Sequence, residues 1–184
     1  MTDRLVLRPF QWTDLDALAA LASDLDVMRY IGTGPEPRED VAQGLERAIR
    51  RWHEQGMSWW AVRTRQDERV IGRCCLQRMR DLPEIEVGCA FEGRSWGRGL
   101  ATEAVRAALE HGFGRLGLRS IVALTHPENA RSRRMLERCG FGLEATIPLR
   151  GKSLALYRIA PETWAECSMG QTGVSRRGDR DEAE

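Results

Sequence analysis

The order of patterns along the chain predicts an α+β fold, with helices packed on a sheet built largely from hairpins. Two pairs of β-rich runs are each joined by a short turn, at residues 58–79 and 141–160. Helical periodicities separate them. Between the two blocks a strand, "EIEVGCAF", runs through the glycine-rich stretch "FEGRSWGRGLATEA" (residues 91–104) straight into a helical sequence.

The individual elements follow from local chemistry. "RLVLRPF" reads as a short strand that Pro9 ends. Thr13 and Asp16 form a capping box for the helix "LDALAALAS". After a Gly/Pro loop at residues 30–37, Val41, Leu45, Ala48, Ile49 and Trp52 repeat at helical spacing until Gly56. The runs at 58–65 and 69–79 flank the polar turn "QDE". From Leu100 the residues Ala101, Ala104, Val105, Ala108, Leu109 and Phe113 form one apolar stripe, with Gly117 as a stop. "SIVALT" is a short buried strand, "ENARSRRMLERCG" a helix closed by Gly140, and residues 141–160 a hairpin turning near Gly151. The segment from Ser168 is polar and nearly free of large apolar residues. It reads as a flexible tail, residues 168–184, on one domain of residues 1–167.

Composition narrows the function. A chain of 184 residues, 42% hydrophobic and 30% charged, fits one domain with a sizeable core. The formal net charge of +1 gives no overall field to favour nucleic acid or an anionic membrane. No apolar run approaches the ~20 residues that span a bilayer, and the N-terminus lacks the apolar core of a secretion signal, so a cytoplasmic location is expected. Five cysteines without CxxC or Cys/His spacing read as reduced thiols, and no metal site is expected. His53, His111 and His126 have no triad or ligand spacing and read as structural.

A glycine-rich turn between a strand and a helix leaves backbone N–H groups unpaired at the positive end of the helix dipole, a geometry that suits phosphate. Glycine at 97 and 99 permits close approach of an anion, and Arg94 and Arg98 add charge. A tight turn with solvated arginines is the alternative. Two familiar phosphate loops do not match. Thr102 stands where a dinucleotide fingerprint needs its third glycine, and "GKS" at 151–153 lacks both the first glycine of a P-loop, Thr146 here, and the following helix.

What remains is Arg94-Ser-Trp-Gly97-Arg-Gly99, then "LATEA", and about thirty residues later "PENARSRRMLERCGF". Together these resemble the GNAT superfamily of acetyl-CoA-dependent N-acetyltransferases, and "TDRLVLRPFQWTDLDAL" resembles the start of its Rim-type ribosomal-protein branch. The likeness spans residues 2–164. It implies the GNAT fold, a mixed, mostly antiparallel twisted sheet flanked by helices with two central strands splayed apart. It also implies a loop of Arg94, Trp96, Gly97, Arg98, Gly99, Leu100 and Ala101 that cradles the coenzyme A pyrophosphate, and a pantetheine arm lying against the open backbone of Cys89, Ala90 and Phe91.

Alternation in "EIEVGCAF" places Ile85, Val87, Cys89 and Phe91 on one face and Glu84, Glu86, Gly88 and Ala90 on the other, acidic and sparsely filled. Acetyl transfer needs a base for the amine and a proton for the departing thiolate. By the resemblance Glu86 is the first candidate base and Glu84 the second; pairing of both with arginines is the alternative. Ser132 stands where the Rim-type branch places its acid, and Leu136 where many other members have a tyrosine. Asn129 resembles the family's coenzyme-contacting asparagine, and either Asn129 or Ser132 also suits helix capping.

The partners implied are acetyl-CoA and an amine acceptor, with the protein a monomer or homodimer. The acceptor is either a protein or peptide N-terminus or a small amine such as a polyamine, amino acid or aminoglycoside. A non-catalytic acyl-CoA sensor is a third reading. Glu36, Glu39 and Asp40 are the acidic residues in and just beyond the 30–37 loop, too few to favour a polycation.

Overall fold

The computed structural model describes residues 1–172 and shows a seven-stranded sheet in the order β1-β2-β3-β4-β5-β7-β6. The strands are β1 (Leu5–Pro9), β2 (Trp59–Thr64), β3 (Val70–Arg78), β4 (Ile85–Phe91), β5 (Ile121–Thr125), β6 (Gly142–Leu149) and β7 (Lys152–Ile159). Every neighbouring pair is antiparallel except β4 and β5. The helices are α1 (Leu15–Ser23), α2 (Leu25–Met28), α3 (Arg38–Gln55), α4 (Leu100–Glu110), α5 (Ala130–Arg138) and α6 (Pro161–Thr172). The fold expected from the resemblance is the one found.

Helices cover both faces of the sheet, and strand alternation decides which residue meets which layer. Val62, Leu76, Val87, Phe91, Ile121 and Ala123 pack on one face against the stripe of α4 and α5 formed by Leu100, Ala104, Val105, Leu109 and Leu136. On the other face Phe10 and Ala61 meet Leu18, Ala22, Val41, Leu45 and Ala48 from α1 and α3. Leu109 and Leu45 are almost wholly buried. Each such leucine contributes ~1.5–3 kcal/mol relative to an exposed one. Among the described residues no helix is long and apolar enough to cross a membrane.

Glycines end the elements as expected, with Gly56 closing α3 in the left-handed region at φ 66°. The β6–β7 turn has Arg150 and Gly151 both at positive φ, the conformation of a tight hairpin.

Three expectations need correction. The Thr13/Asp16 capping box does not form, because a 3₁₀ turn (Trp12–Asp14) precedes α1 and Asp14 holds the site instead. Asp14 is 2% exposed and takes both ends of Arg8 at 2.7 Å while accepting the Gln11 amide at 2.8 Å. The short α2 was not foreseen; the Asp24 carboxylate caps it by accepting from the Asp26 and Val27 amides. The domain does not stop at residue 167, since α6 continues to Thr172 and carries Ser168, whose hydroxyl donates to the Trp164 carbonyl at 2.8 Å. The rest of the expected tail, residues 173–184, lies outside the described residues.

Candidate active site

The central strands part early. β4 and β5 share a single register pair, Glu86 with Val122, and β5 then pairs along its whole length with β7. On its other side β4 stays paired with β3 from Ile85 to Phe91. Two bonds fix which backbone groups face which way: Glu92 donates to Ile71 at 3.0 Å, and Met79 to Glu84 at 3.1 Å. Even-numbered residues of β4 therefore spend their amides and carbonyls on β3, and Val87, Cys89 and Phe91 turn theirs toward the gap.

Cys89 and Phe91 thus face the wedge with their backbones. Ala90 does not: its backbone faces β3 opposite Arg73, and its side chain is buried among Leu21, Val27 and Met28. The Phe91 carbonyl is already held by the indole Nε1 of Trp96 at 2.7 Å.

The glycine loop lies at the start of α4. A 3₁₀ turn (Gly93–Ser95) takes the Trp96 amide, which donates to the Gly93 carbonyl at 3.1 Å. Beyond it the amides of Gly97, Arg98, Gly99, Leu100, Ala101 and Thr102 have no acceptor among the described residues, and the next one bonded, Glu103, donates to Gly99. Gly97 and Gly99 sit at φ 74° and 75°, and nothing lies within 4 Å of a Cβ built at Gly97. A row of unanswered N–H groups, open space and the positive end of an eleven-residue helix together fit a phosphate group.

The loop is braced from both sides. Glu103, in the first turn of α4, accepts from Thr2 Oγ1 at 2.6 Å and from Arg4 Nε at 2.6 Å, and Arg4 also donates to the Arg98 carbonyl at 3.0 Å. Burial pushes the Glu103 carboxyl up, but these bonds outweigh it and hold it below the usual range. Glu92 pairs with Arg69 and with Arg94, so Arg94 braces the turn rather than pointing free. Arg131 of α5 lies 4.8 Å over the Trp96 ring.

The two carboxylates have different surroundings. Glu84 is tied to Arg158 at 3.2 Å, and Arg158 also holds Glu144. Glu86 has no arginine in contact among the described residues. It accepts from Gln77 Nε2 at 3.3 Å, and Gln77 Oε1 accepts from Arg51 at 3.3 Å, which orients the amide. Burial raises the Glu86 pKa above the ordinary carboxylate value, against the opposing pull of Gln77 and Arg150. Asn129 caps α5, its Oδ1 accepting from the Ser132 amide at 3.1 Å. The capping duty falls on Asn129, and the half-buried Ser132 hydroxyl has no partner among the described residues. Leu136 is in the core.

An open cavity of about 590 Å³ lies between the residues after α2, the β5–α5 connection and the β6–β7 hairpin. Arg29, Tyr30, His126, Glu128 and Lys152 are in its wall. His126, expected to be structural, stacks on Tyr30 at 5.2 Å between ring centroids, a pairing that no spacing along the chain foretells. Lys152 reaches across to the Gly32 carbonyl at 2.5 Å. Arg51, Arg73 and Gln77 were also missed. Only strand register brings the last two onto the face of Glu86.

All five cysteines are free. Burial pushes the Cys89 thiol up to about 12 and the Cys139 thiol up to about 11, which leaves neither as a thiolate nucleophile at neutral pH. Among the described residues no group of three or more His, Cys, Asp and Glu is placed to hold a metal ion.

Comparison with known proteins points to one family. The domain described as Acetyltransferase (GNAT) domain matches residues 4–142. The protein YkkB of Bacillus subtilis is 31% identical over 160 residues, covering 85% of this chain and 92% of that one. A GNAT-family acetyltransferase from Bacillus anthracis has a crystal structure that superposes with TM-score 0.77 at 27% identity, covering 88% of this chain and 98% of that chain. The fold is shared by a spermidine N-acetyltransferase from Vibrio cholerae, solved with CoA and spermine, at TM-score 0.73, 22% identity and coverage of 88% and 98%. With a parted β4–β5 pair and a glycine turn of unanswered amides beneath that family match, the chain belongs to the GNAT acetyltransferases.

Proposed function

We propose that the protein transfers an acetyl group from acetyl-CoA to a primary amine by direct attack of the amine on the thioester. The observation that carries this reading is the row of amides from Gly97 to Thr102 without protein acceptors, set at the mouth of the β4–β5 wedge. These amides would hold the pyrophosphate, aided by the helix dipole, and the Cys89 backbone would meet the pantetheine arm. Acetyl-CoA supplies the activated acyl group.

The chain's own residues supply proton management. Glu86 accepts the amine proton through water; its raised pKa brings a carboxylate closer to the operating range of a general base. Glu84, second in line from the sequence, stays paired with Arg158 and serves the sheet. Ser132, with an unspent hydroxyl in the first turn of α5, donates to the departing sulfur. A thiolate of pKa near ~8.5 leaves readily without much help, so this contribution is small.

The Rim-type likeness of residues 2–17 keeps a peptide N-terminus among the acceptors to be tested beside small amines. The spermidine enzyme from Vibrio cholerae shares the fold, but the cationic side chains around this cavity, Arg29 and Lys152, argue against a polyamine here. The test reads free thiol released from acetyl-CoA with peptide and small-amine acceptors. Transfer to at least one class is expected, with Ser132→Ala lowering turnover less than tenfold. Binding of acetyl-CoA without thiol release from any acceptor would favour the non-catalytic sensor.

A further inference from the structure

Arg73 of β3 sits half-buried in the middle of a covered face. Register places it opposite Ala90, with Cys75 opposite Gly88 and Gln77 opposite Glu86. Residues directly opposite share a face, so Arg73 looks out on the same side as the candidate base. Its Nε is buried without a hydrogen bond, and one Nη lies 3.9 Å from the Met28 sulfur. The guanidinium rests over the Trp59 ring, 5.0 Å from the centroid. No carboxylate lies within 4.0 Å of it among the described residues; Glu36 acts only at longer range. Burial lowers its pKa, yet a guanidinium stays charged at any physiological pH.

A half-buried guanidinium whose Nε is shut off from water leaves that donor unanswered unless something else completes it. The guanidinium stacks on Trp59 of β2, which pairs with Cys75 at the level of Gly88. The Arg73 and Glu86 rows are four residues apart, ~13 Å along the strand. Gly88, between them on β4, contributes no side chain. The guanidinium fork is built for a two-oxygen anion, which a water molecule does not replace.

We propose that Arg73 binds a carboxylate of the acceptor, so that the substrate class is a small amino acid or related amino-carboxylate rather than a polyamine. This rests on the acetyl-transfer reading above. The rim agrees: Arg29, next in the chain after Met28, and Lys152 both line the open cavity against Glu128.

The experiment compares kcat/KM for leucine, methionine and phenylalanine with that for their C-terminal amides, for spermidine and for a neutral tripeptide amide, in wild type, Arg73→Gln and Arg73→Lys. The amide's amine loses its proton more readily than the acid's, an effect that cancels when the acid-to-amide ratio of a variant is divided by that of wild type. The expected result is that Arg73→Gln lowers this ratio on the order of 10- to 100-fold, with Arg73→Lys between. An unchanged stabilisation of each variant by acetyl-CoA shows that its fold and coenzyme site are intact. An equal loss on acids and amides would mark Arg73 as structural and overturn the proposal, as would a wild-type preference for spermidine or for the tripeptide. If acetyl-CoA binds but no amine is acetylated, the transfer reading fails and thermal shift with the same acids on the CoA-saturated protein decides. A shift present in wild type and lost in Arg73→Gln supports the anion site, and no shift in wild type overturns it.

Discussion

Replacing Glu86 with glutamine separates catalysis from stability in a way that only a base in this position explains. The folded-state pKa of Glu86 lies above its unfolded value because burial penalises the charged form. The sign therefore runs against stability: once pH exceeds the unfolded value, the ionised carboxylate costs folding free energy, and the cost is full above the folded value. A neutral glutamine removes it and can still accept from Gln77 through its carbonyl. Glu86→Gln should leave the melting temperature at pH 8 unchanged or slightly higher. Turnover should fall by ~10²–10⁴, the usual contribution of a positioned base. In wild type, kcat/KM should rise with pH in two limbs, one above the ordinary glutamate range for Glu86 and one near the acceptor amine's own pKa. Only the second should survive in the variant. The assay is thiol release from pH 5 to 9 beside a thermal melt at each pH. Two results would refute the reasoning: turnover within threefold of wild type, or an unchanged lower limb.

Two further substitutions probe the frame around the site. Glu92 is held down to about 2 chiefly by the Arg69 hydrogen bonds, against some burial, with Arg94 and Ser95 adding to the effect. A depressed carboxylate contributes stability that is full above its unfolded pKa of 4.5 and is lost as pH falls toward 2. With Arg69 40% and Arg94 67% exposed, solvent screening reduces the contribution to about 1–2 kcal/mol. Glu92→Gln should lower the melting temperature by ~3–6 °C at pH 7 and by less than about half as much at pH 3, read by differential scanning calorimetry. Gly72→Ala should be more disruptive for its size: its Cβ would lie 2.6 Å from the Ala90 carbonyl and 2.6 Å from the Phe91 ring. A loss of about 1–3 kcal/mol in urea unfolding is expected, with weaker acetyl-CoA binding because β4 must shift.

Much of this was legible in the sequence because it is encoded locally. Gly56, Gly117 and Gly140 end their elements at positive φ, as their positions suggest. The alternation of β4 correctly separates Val87 and Phe91 from Glu86 and Gly88. The loop at Gly97 and Gly99 is read from composition, since few other residues take its backbone shape. What was not legible depends on contacts distant in the chain. The Arg8–Asp14 pair replaces a capping box that propensity alone suggested. Glu84 and Glu86 look alike in sequence, and only the arrival of Arg158 from β7 tells them apart. Helix α6 lacks the apolar stripe by which α3 and α4 are recognised, so residues 161–167 suggested no element and the chain from Ser168 onward read as polar tail.

The most direct measurement is a calorimetric titration of acetyl-CoA into wild type and into the double variant Gly97→Ala/Gly99→Ala. Alanine at φ 74° and 75° costs ~1–2 kcal/mol per residue unless the backbone relaxes, and relaxation turns the amides away from their common point. A saturable heat is expected for wild type with acetyl-CoA and none with NAD or ATP, with affinity at least ~10-fold weaker in a double variant that remains folded. An unchanged affinity in that variant, or no binding of acetyl-CoA to wild type, would contradict the assignment of these amides to the coenzyme.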